Sequence, residues 1–512
     1  MHQCHRTARI FALSTVILVA AVPALAQQIP PEVQARMDAM QARIDAQQAQ
    51  IDAQQTELNG LKAEIAAQYG APAPATRVAA APIPAPTPVP PAAASVTLNN
   101  GTATIASTDG AFSVALKSMF QLDAASYSQD KDLDAAVIGR DLNSGVNFRR
   151  ARIGMGGKLF TDFDYNIILD FGGSGAEDVG RFHEAWLQYS GFKSVKLRIG
   201  EFAPNAGLED AGSVMASTFL ERASVSDIAR SLTGGDTRMG ISAFNAYDRW
   251  LWYVSLTGNT VSTLSTQAAG FTVANADEQL GMTARLAGTP FKGDTWLVHA
   301  GINYSRIINP ADAGDSSATR YPVALRDRPE LRLDSTRLVD TGAIDAQSAD
   351  VTGLELGMQN GPFFVEVEAF AFNIARYNRA PGLTDPDFFG WYIEGGWVLT
   401  GETRRYNTVT AAFDGVTPKN NFDAKRGQWG AFELVARFST LDLDYNPDAV
   451  LTADQVRGGK QDIFSLGLGW TLNPAMRLVF QGQDVKVERL NSSGVQTGQD
   501  YTSFAVRSQF GF

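Results

Sequence analysis

The final ten residues, Ser503-Phe504-Ala505-Val506-Arg507-Ser508-Gln509-Phe510-Gly511-Phe512, decide the fold of this chain. Large apolar residues alternate in them with small or polar residues. Successive side chains of a strand point to opposite faces, so this period of two indicates one face against apolar material and one against water. The stretch therefore predicts a strand that separates two different environments.

Fifteen similar segments precede this one, so the sequence contains sixteen in all, beginning near residues 112, 151, 163, 185, 195, 239, 250, 280, 296, 354, 363, 389, 432, 464, 476 and 504. A membrane barrel shows lipid only alternate residues of each strand. The series predicts an all-β fold, a 16-stranded antiparallel transmembrane β-barrel in the lipid of a bacterial outer membrane. The terminal Phe512 resembles the signal by which the barrel-assembly machinery recognises a closing strand.

The connections between the segments alternate in length. The long ones are 124–146, 203–236 and 306–350, and the short ones are 161–162, 190–193, 245–248, 360–362 and 473–474. Barrels have long external loops and short periplasmic turns, so both termini are expected in the periplasm. The stretch 400–428 is long where a short turn is expected. It is a plug, a miscounted hairpin or a real extension.

Residues 1–26 have the pattern of a signal peptide. Arg6 and Arg9 precede an apolar run at 10–21, and Ala24-Leu25-Ala26 follows as a cleavage site of small residues. The single cysteine, Cys4, would leave with this peptide. We therefore expect an exported mature chain that uses neither disulfides nor thiol chemistry.

Residues 27–70 carry a heptad seam in which Ile44, Ile51 and Ile65 occupy one core position. The pattern favours an oligomeric α-helical coiled coil, with a trimer as its expected order, over a single solvated amphipathic helix. The stretch 71–95 is rich in Ala and Pro, which predicts an extended, semi-rigid linker. These features place a periplasmic coiled coil before a barrel at 96–512.

Composition excludes several classes of protein. The formal net charge of −11, without a basic run, argues against nucleic-acid binding, and no apolar stretch after residue 26 is long enough for a transmembrane helix. Apart from the predicted signal peptide, the histidines are His183 and His299, and neither lies in a recognisable catalytic pattern. Metal-ligand spacing and cofactor motifs are absent from the sequence, so no cofactor is expected.

Charged residues occupy the phase of the segments that should face the lumen. The basic ones are Arg150, Arg152, Lys158, Lys196, Arg198, Arg238 and Arg285, which Lys117, Arg477 and Arg507 join when the barrel closes. The acidic ones are Glu355, Glu366, Glu368, Glu394 and Glu433. This division predicts a basic wall that draws anions opposite an acidic wall. The alternative is that inward charges only pair with one another.

The stretch 203–236 follows the fifth segment, where sixteen-stranded porins commonly fold a loop into the pore. We expect it to form the constriction, with Arg222 and Arg230 as solute contacts. The alternative is an ordinary external loop.

Several motifs resemble the phosphate-selective porin O and P family across residues 100–512. They include Phe148-Arg149-Arg150-Ala151-Arg152-Ile153-Gly154, Leu197-Arg198-Ile199-Gly200-Glu201-Phe202, Phe219-Leu220-Glu221-Arg222 and Gly430-Ala431-Phe432-Glu433-Leu434. The resemblance implies a homotrimeric sixteen-stranded outer-membrane porin in which 400–428 is a family feature. Phosphate-specific members carry a lysine cluster on inward loops, whereas 203–236 contains no lysine.

These observations predict a passive channel for small hydrophilic solutes that prefers anions of the phosphate and pyrophosphate class. One alternative is a non-specific or cation-preferring porin whose coiled coil tethers the outer membrane to the cell wall. Another is an outer-membrane hydrolase that depends on His183 or His299.

Overall fold

The computed structural model describes residues 94–512 except 100, 174–179, 261–276 and 315–316, together with four single helical positions at 49, 53, 56 and 60. Apart from those positions and residues 94–95, the predicted signal peptide, coiled coil and linker lie outside the described residues. None of the described helices has both the length and the apolar character needed to span a membrane.

The described part is built almost entirely of strands. The first eleven are β1 (Ser95–Asn99), β2 (Thr102–Ala106), β3 (Ser113–Gln129), β4 (Gly145–Leu159), β5 (Phe163–Asp170), β6 (Arg181–Tyr189), β7 (Lys196–Phe202), β8 (Arg238–Ala246), β9 (Trp250–Thr257), β10 (Leu280–Lys292) and β11 (Trp296–Asn309). The others are β12 (Pro322–Val323), β13 (Arg326–Asp327), β14 (Val339–Asp340), β15 (Ile344–Asn360), β16 (Phe363–Arg376), β17 (Asp387–Val398), β18 (Tyr406–Asn407), β19 (Ala412–Phe413), β20 (Ala431–Tyr445), β21 (Val456–Asn473), β22 (Met476–Glu488) and β23 (Asp500–Gly511).

Sixteen of these strands close into one antiparallel barrel. They are β3 to β11, β15 to β17 and β20 to β23, each paired with its neighbour in the chain. The last strand, β23, pairs with β3 from Tyr501 to Gly511, and Phe510 lies opposite Phe120. The predicted 16-stranded antiparallel barrel is therefore confirmed. A hairpin of β1 and β2 extends the sheet from the first residues of β3.

The alternation in the sequence gives the barrel its two faces. On β4, for example, Ile153 and Met155 are exposed on the outer face, whereas Arg150 and Arg152 are buried inside. The same holds for β21, where Leu466 is exposed and Ser465 is fully buried. Side chains on the outer face can meet lipid while the inner face carries polar groups, as a spanning barrel requires.

Three connections are long enough to enter the barrel. The β7–β8 loop (203–237) contains two helices, α1 (Leu208–Ala211) and α2 (Ser224–Ser231). The β11–β15 loop (310–343) and the β17–β20 loop (399–430) contain the short strands β12 to β14 and β18 to β19. Each loop places apolar side chains in buried clusters with strand residues, among them Leu220, Leu331 and Ala412.

Candidate functional site

The β7–β8 loop lies inside the barrel. Leu208, Phe219, Leu220 and Val225 are each only 1% exposed, although they belong to a connection and not to a strand. Helix α2 contacts β16, β17 and β20. Because these strands follow the loop by more than 100 residues in sequence, the loop crosses the lumen to reach them.

The side of the wall that receives this loop is the predicted acidic one. Glu368 accepts hydrogen bonds from the backbone N–H groups of Leu208 (2.7 Å) and Glu209 (3.0 Å), which begin α1. Glu394 accepts a hydrogen bond from the Thr218 hydroxyl. Carboxylates satisfy helix N-termini well, since the free N–H groups there carry partial positive charge.

All five predicted acidic residues, Glu355, Glu366, Glu368, Glu394 and Glu433, point inward and are at most 5% exposed. Glu433 pairs with Arg404 of the β17–β20 loop at 2.7 Å. Glu366 accepts from the Tyr392 hydroxyl at 3.4 Å. In the structure, the predicted acidic wall is thus covered by loops and does not face the open lumen. Alternation alone gave the direction of these side chains but not what covers them.

The β17–β20 loop is held from a second cluster of strand residues. Arg285 binds Glu355 through both nitrogens of its fork, at 2.9 and 2.7 Å, and donates to the carbonyl oxygens of Thr410 (2.7 Å) and Ala411 (2.8 Å). His299 lies between Glu355 (3.1 Å) and the Tyr406 hydroxyl (2.7 Å). Arg285 and His299 are therefore structural contacts of this loop.

A cavity of about 470 Å³ lies against the basic wall, bounded on the other side by the β7–β8 and β17–β20 loops. Its lining includes six basic side chains and three acidic ones: Lys117, Arg150, Arg152, Arg198, Arg222 and Arg230, with Glu184, Asp210 and Asp236. Four residues of the predicted basic wall and the two arginines of the predicted constriction loop thus line one cavity. This cavity is the candidate solute site.

Lys117 and Arg198 line the cavity without an acidic partner. The Lys117 ammonium donates to the Asn166 side-chain oxygen at 2.7 Å. The Arg198 guanidinium lies 4.3 Å from the Trp186 ring and 5.0 Å from the Phe244 ring, and donates to Gln188 at 2.8 Å. Among the described residues, no carboxylate lies within 4.0 Å of either cation. Cation–π and amide contacts fix their position. Glu184 of the same cavity binds Asn166 and Trp186 and forms no direct ion pair with either cation, so their charge is compensated only indirectly.

Arg150 and Arg222 are weakly paired. Arg150 donates to Gln121 at 2.8 Å and reaches Glu221 only at 3.8 Å, while Arg222 reaches Asp210 at 3.7 Å. The Nε–H group of each has no hydrogen-bond partner among the described residues. A buried donor without a partner loses its hydration free energy, and the distant carboxylates compensate the charge of these two guanidinium groups only in part.

Arg152 and Arg230 are neutralised by neighbours. Arg152 pairs with Asp170 at 2.8 Å. Arg230 pairs with Asp210 and Asp236, each at 2.5 Å. Burial alone would lower the pKa of Arg230, but Asp236, Asp210 and Asp227 hold that pKa well above its usual range. Arg230 therefore acts mainly as a cross-link within the β7–β8 loop.

Three further predicted basic residues lie away from this cavity. Lys158 is half-exposed and pairs with Asp164 at 3.1 Å, and Lys196 is half-buried at the start of β7. Arg238 is fully buried and donates to the backbone oxygens of Gly235 (2.9 Å) and Arg230 and to the Thr233 hydroxyl. Arg238 fastens the end of the β7–β8 loop to β8.

Two bulges set which side chains face the cavity. Gln121 pairs with Arg150 and Leu122 with Phe148, so Arg149 is an extra residue in β4. A bulge lets consecutive residues face the same side. Arg149 consequently binds Glu221 at 2.7 Å although strict alternation points it outward. A similar shift at His183 lets both His183 and Glu184 line the cavity.

Glu221 is the central residue that sequence reasoning missed. It lies within 4.0 Å of Arg149, Arg150, Arg332 and Arg507. Burial would raise the pKa of this carboxyl, but these four arginines hold it well below its usual value of 4.5. The signal in the sequence was its place in the motif Phe219-Leu220-Glu221-Arg222, but this motif does not say which arginines surround the carboxylate.

Within the described residues, no group of three or more His, Cys, Asp or Glu side chains is arranged to hold a metal ion. His183 is buried in the cavity wall and its Nδ1 atom has no hydrogen-bond partner there. His299 contacts Glu355 and Tyr406 as described above.

A closed barrel with an apolar outer face and inward loops over a charged lumen defines an outer-membrane channel. This chain belongs to the phosphate-selective porin O and P family, whose model matches residues 120–512. The resemblance found in the sequence is confirmed, and the chain is a passive outer-membrane channel for small hydrophilic solutes. The family is one of channels and not of enzymes.

The chain is similar to several known proteins. Porin O of Pseudomonas aeruginosa is 26% identical over 446 residues, which cover 81% of this chain and 92% of Porin O. An uncharacterised protein of Caulobacter vibrioides is 27% identical over 368 residues, which cover 71% of this chain and 66% of that protein. Among solved structures, an anion-selective porin from Comamonas acidovorans is 12% identical with a TM-score of 0.45, over 78% of this chain and all of that porin. OprB of Pseudomonas putida is 10% identical with a TM-score of 0.47, over 79% of this chain and 95% of OprB.

Proposed function

We propose that this porin prefers anions, with phosphate and pyrophosphate as the class of solute, and that solutes pass along the basic wall. The observation that carries the proposal is the cavity lined by six basic and three acidic side chains. Lys117 and Arg198 there have no carboxylate within ion-pairing distance among the described residues. Their charge is thus available to a solute.

The burial of the acidic residues supports this preference. Glu368 and Glu394 bind the β7–β8 loop, and Glu355 and Glu433 pair with arginines. Compensated charges under a loop contribute little to the field in the passage, whereas uncompensated charges at a low-dielectric wall contribute strongly. The field at the cavity should therefore be positive although the whole chain carries −11.

Arginine is suited to the proposed solutes. Its planar fork can donate two parallel hydrogen bonds to a phosphate or carboxylate. A series of such sites would replace the hydration of a passing anion step by step, which conduction requires. Arg150, Arg198 and Arg222 are the residues we assign to these contacts.

The reversal potential of the purified protein in a planar bilayer under a KCl gradient tests the proposal. We expect an anion-selective value, which moves toward zero in Arg150→Ala and in Arg198→Ala. Lys158→Ala is the matched control, because this lysine is paired with Asp164 away from the cavity and its loss should leave the value unchanged. A cation-selective or zero reversal potential in the unmodified protein contradicts the proposal and favours the non-specific or cation-preferring channel.

We also propose a homotrimer whose periplasmic coiled coil follows the signal peptide, and recognition of Phe512 by the barrel-assembly machinery. The coiled coil could serve as a tether to the cell wall, with the barrel as its anchor. Deletion of residues 27–94 separates the two roles. Loss of envelope integrity with unchanged conductance would assign the tether to this segment.

A further inference from the structure

We infer that the cavity recognises oxyanions that carry a small apolar body, of the class of organic phosphate monoesters, more strongly than inorganic phosphate. The inference rests on the proposed anion preference and specifies its solute. It is carried by the size of the cavity, its apolar lining and a buried arginine that is only weakly paired.

The cavity is large for an inorganic ion. One water molecule occupies about 30 Å³ of liquid, so about 470 Å³ corresponds to roughly sixteen waters. Small-molecule sites in proteins range from about 300 to about 1,000 Å³. The space therefore suits an organic solute, while a tetrahedral oxyanion would leave most of it to water.

Apolar side chains line the cavity beside the cations. They come from five different parts of the chain and are Met119, Ile168, Val214, Phe244 and Val409. Val214 belongs to the β7–β8 loop and Val409 to the β17–β20 loop, so both loops present apolar surface toward the basic wall. Water against such surface is unfavourable, and a solute with an apolar body would displace it.

The head group has a defined place to bind. Arg150 is 4% exposed, and its Nε–H group has no hydrogen-bond partner among the described residues. The Arg150 guanidinium reaches the nearby carboxylate of Glu221 only at 3.8 Å, so an oxyanion in the cavity would meet a weakly paired positive charge. The β7–β8 loop contains no lysine that could surround a fully hydrated inorganic anion. One anionic head with an apolar body matches this combination better than a bare ion.

Block of the KCl current in a planar bilayer tests the inference with three probes. Phenyl phosphate and inorganic phosphate carry the same head group at pH 7.5, and benzyl alcohol carries the ring without charge. We expect phenyl phosphate to block at a concentration at least tenfold below that of inorganic phosphate, and benzyl alcohol to block at neither concentration.

The double variant Val214→Asn/Val409→Asn should raise the blocking concentration of phenyl phosphate about tenfold, since it replaces two apolar side chains of the cavity lining with polar ones. Inorganic phosphate should be unaffected. Val450→Asn/Val495→Asn is the matched control, because both valines are exposed and neither lines the cavity.

Equal block by the two phosphates, in a channel that still prefers anions in the KCl gradient, overturns this inference and leaves the proposed function intact. Block by benzyl alcohol as strong as by phenyl phosphate also overturns it, because the charge would then be unused. Absence of anion preference in KCl removes the proposed function and this inference with it.

Discussion

Replacement of Arg285 by methionine is expected to lower the free energy of unfolding by about 3 kcal/mol and to loosen two loops. The Arg285 side chain is fully buried, and it binds Glu355, the Asn205 side chain at 2.5 Å, and the Thr410 and Ala411 carbonyl oxygens. Loss of one member of a buried ion pair costs about 3–5 kcal/mol, because the other charge stays buried. His299 still contacts Glu355, which places the expected loss at the lower end.

Denaturant unfolding of the protein refolded in detergent, followed by tryptophan fluorescence, measures this loss. The single-channel conductance measures the loops, and it should rise and become noisier in Arg285→Met because Asn205 and Thr410 lose their anchor. Arg285→Met/Glu355→Gln is the control variant, since it removes both charges and keeps an acceptor for His299. It should recover at least half of the stability. An unfolding midpoint and a conductance that both match the unmodified protein would refute the reasoning.

Three other substitutions test separate parts of the structure. The pKa of Glu221 is depressed in the folded state, so its carboxylate stabilises the protein above the usual pKa of 4.5, and this contribution is lost as the pH falls through the folded pKa. In Glu221→Gln, the free energy of unfolding should therefore depend less steeply on pH below 4.5, as acid unfolding curves can measure. Gly200 has φ 127°, and an added Cβ would lie 2.2 Å from a carbonyl oxygen of the neighbouring strand. Gly200→Ala should therefore lower the free energy of unfolding in denaturant by about 1–3 kcal/mol. Gly482→Ala is the control and should leave it unchanged, because a Cβ there would meet open space. Leu466→Arg on the lipid face should cost about 2–4 kcal/mol in lipid vesicles, whereas Val450→Arg in an exposed loop should be neutral.

The strands were predictable because lipid and water impose the same alternation on every one of them. All sixteen predicted segments coincide with barrel strands, from β3 at the start to β23 at the end. The two bulges were not predictable from alternation. A bulge shifts the phase by one residue, and Arg149 can be assigned inward only when the pairing of β3 with β4 is known.

The candidate solute site was predictable in its residue types but not in its arrangement. Arg150, Arg198 and Arg222 meet at one cavity, while Arg238 and Arg285, identical in chemistry, are used to hold loops. The distinction depends on which loop covers which part of the wall. Contacts between a loop and strands far away in sequence decide this coverage, and the local alternation of residues contains no information about such contacts.

The carbonyl groups of the β7–β8 loop are held by the strands furthest from it in sequence. Arg437 donates to the Glu221 carbonyl at 3.0 Å, Arg477 to Ser217 at 2.5 Å and Arg507 to Leu220 at 2.5 Å. These arginines lie on β20, β22 and β23, more than 200 residues after the loop. The β7–β8 loop therefore cannot form these hydrogen bonds until the last strands of the chain have been synthesised and inserted into the membrane. Contacts of such long range form late in folding. The β7–β8 loop is therefore fixed by the same strand that closes the barrel wall, so a barrel without its last strand would also lack a contact that holds this loop in the lumen.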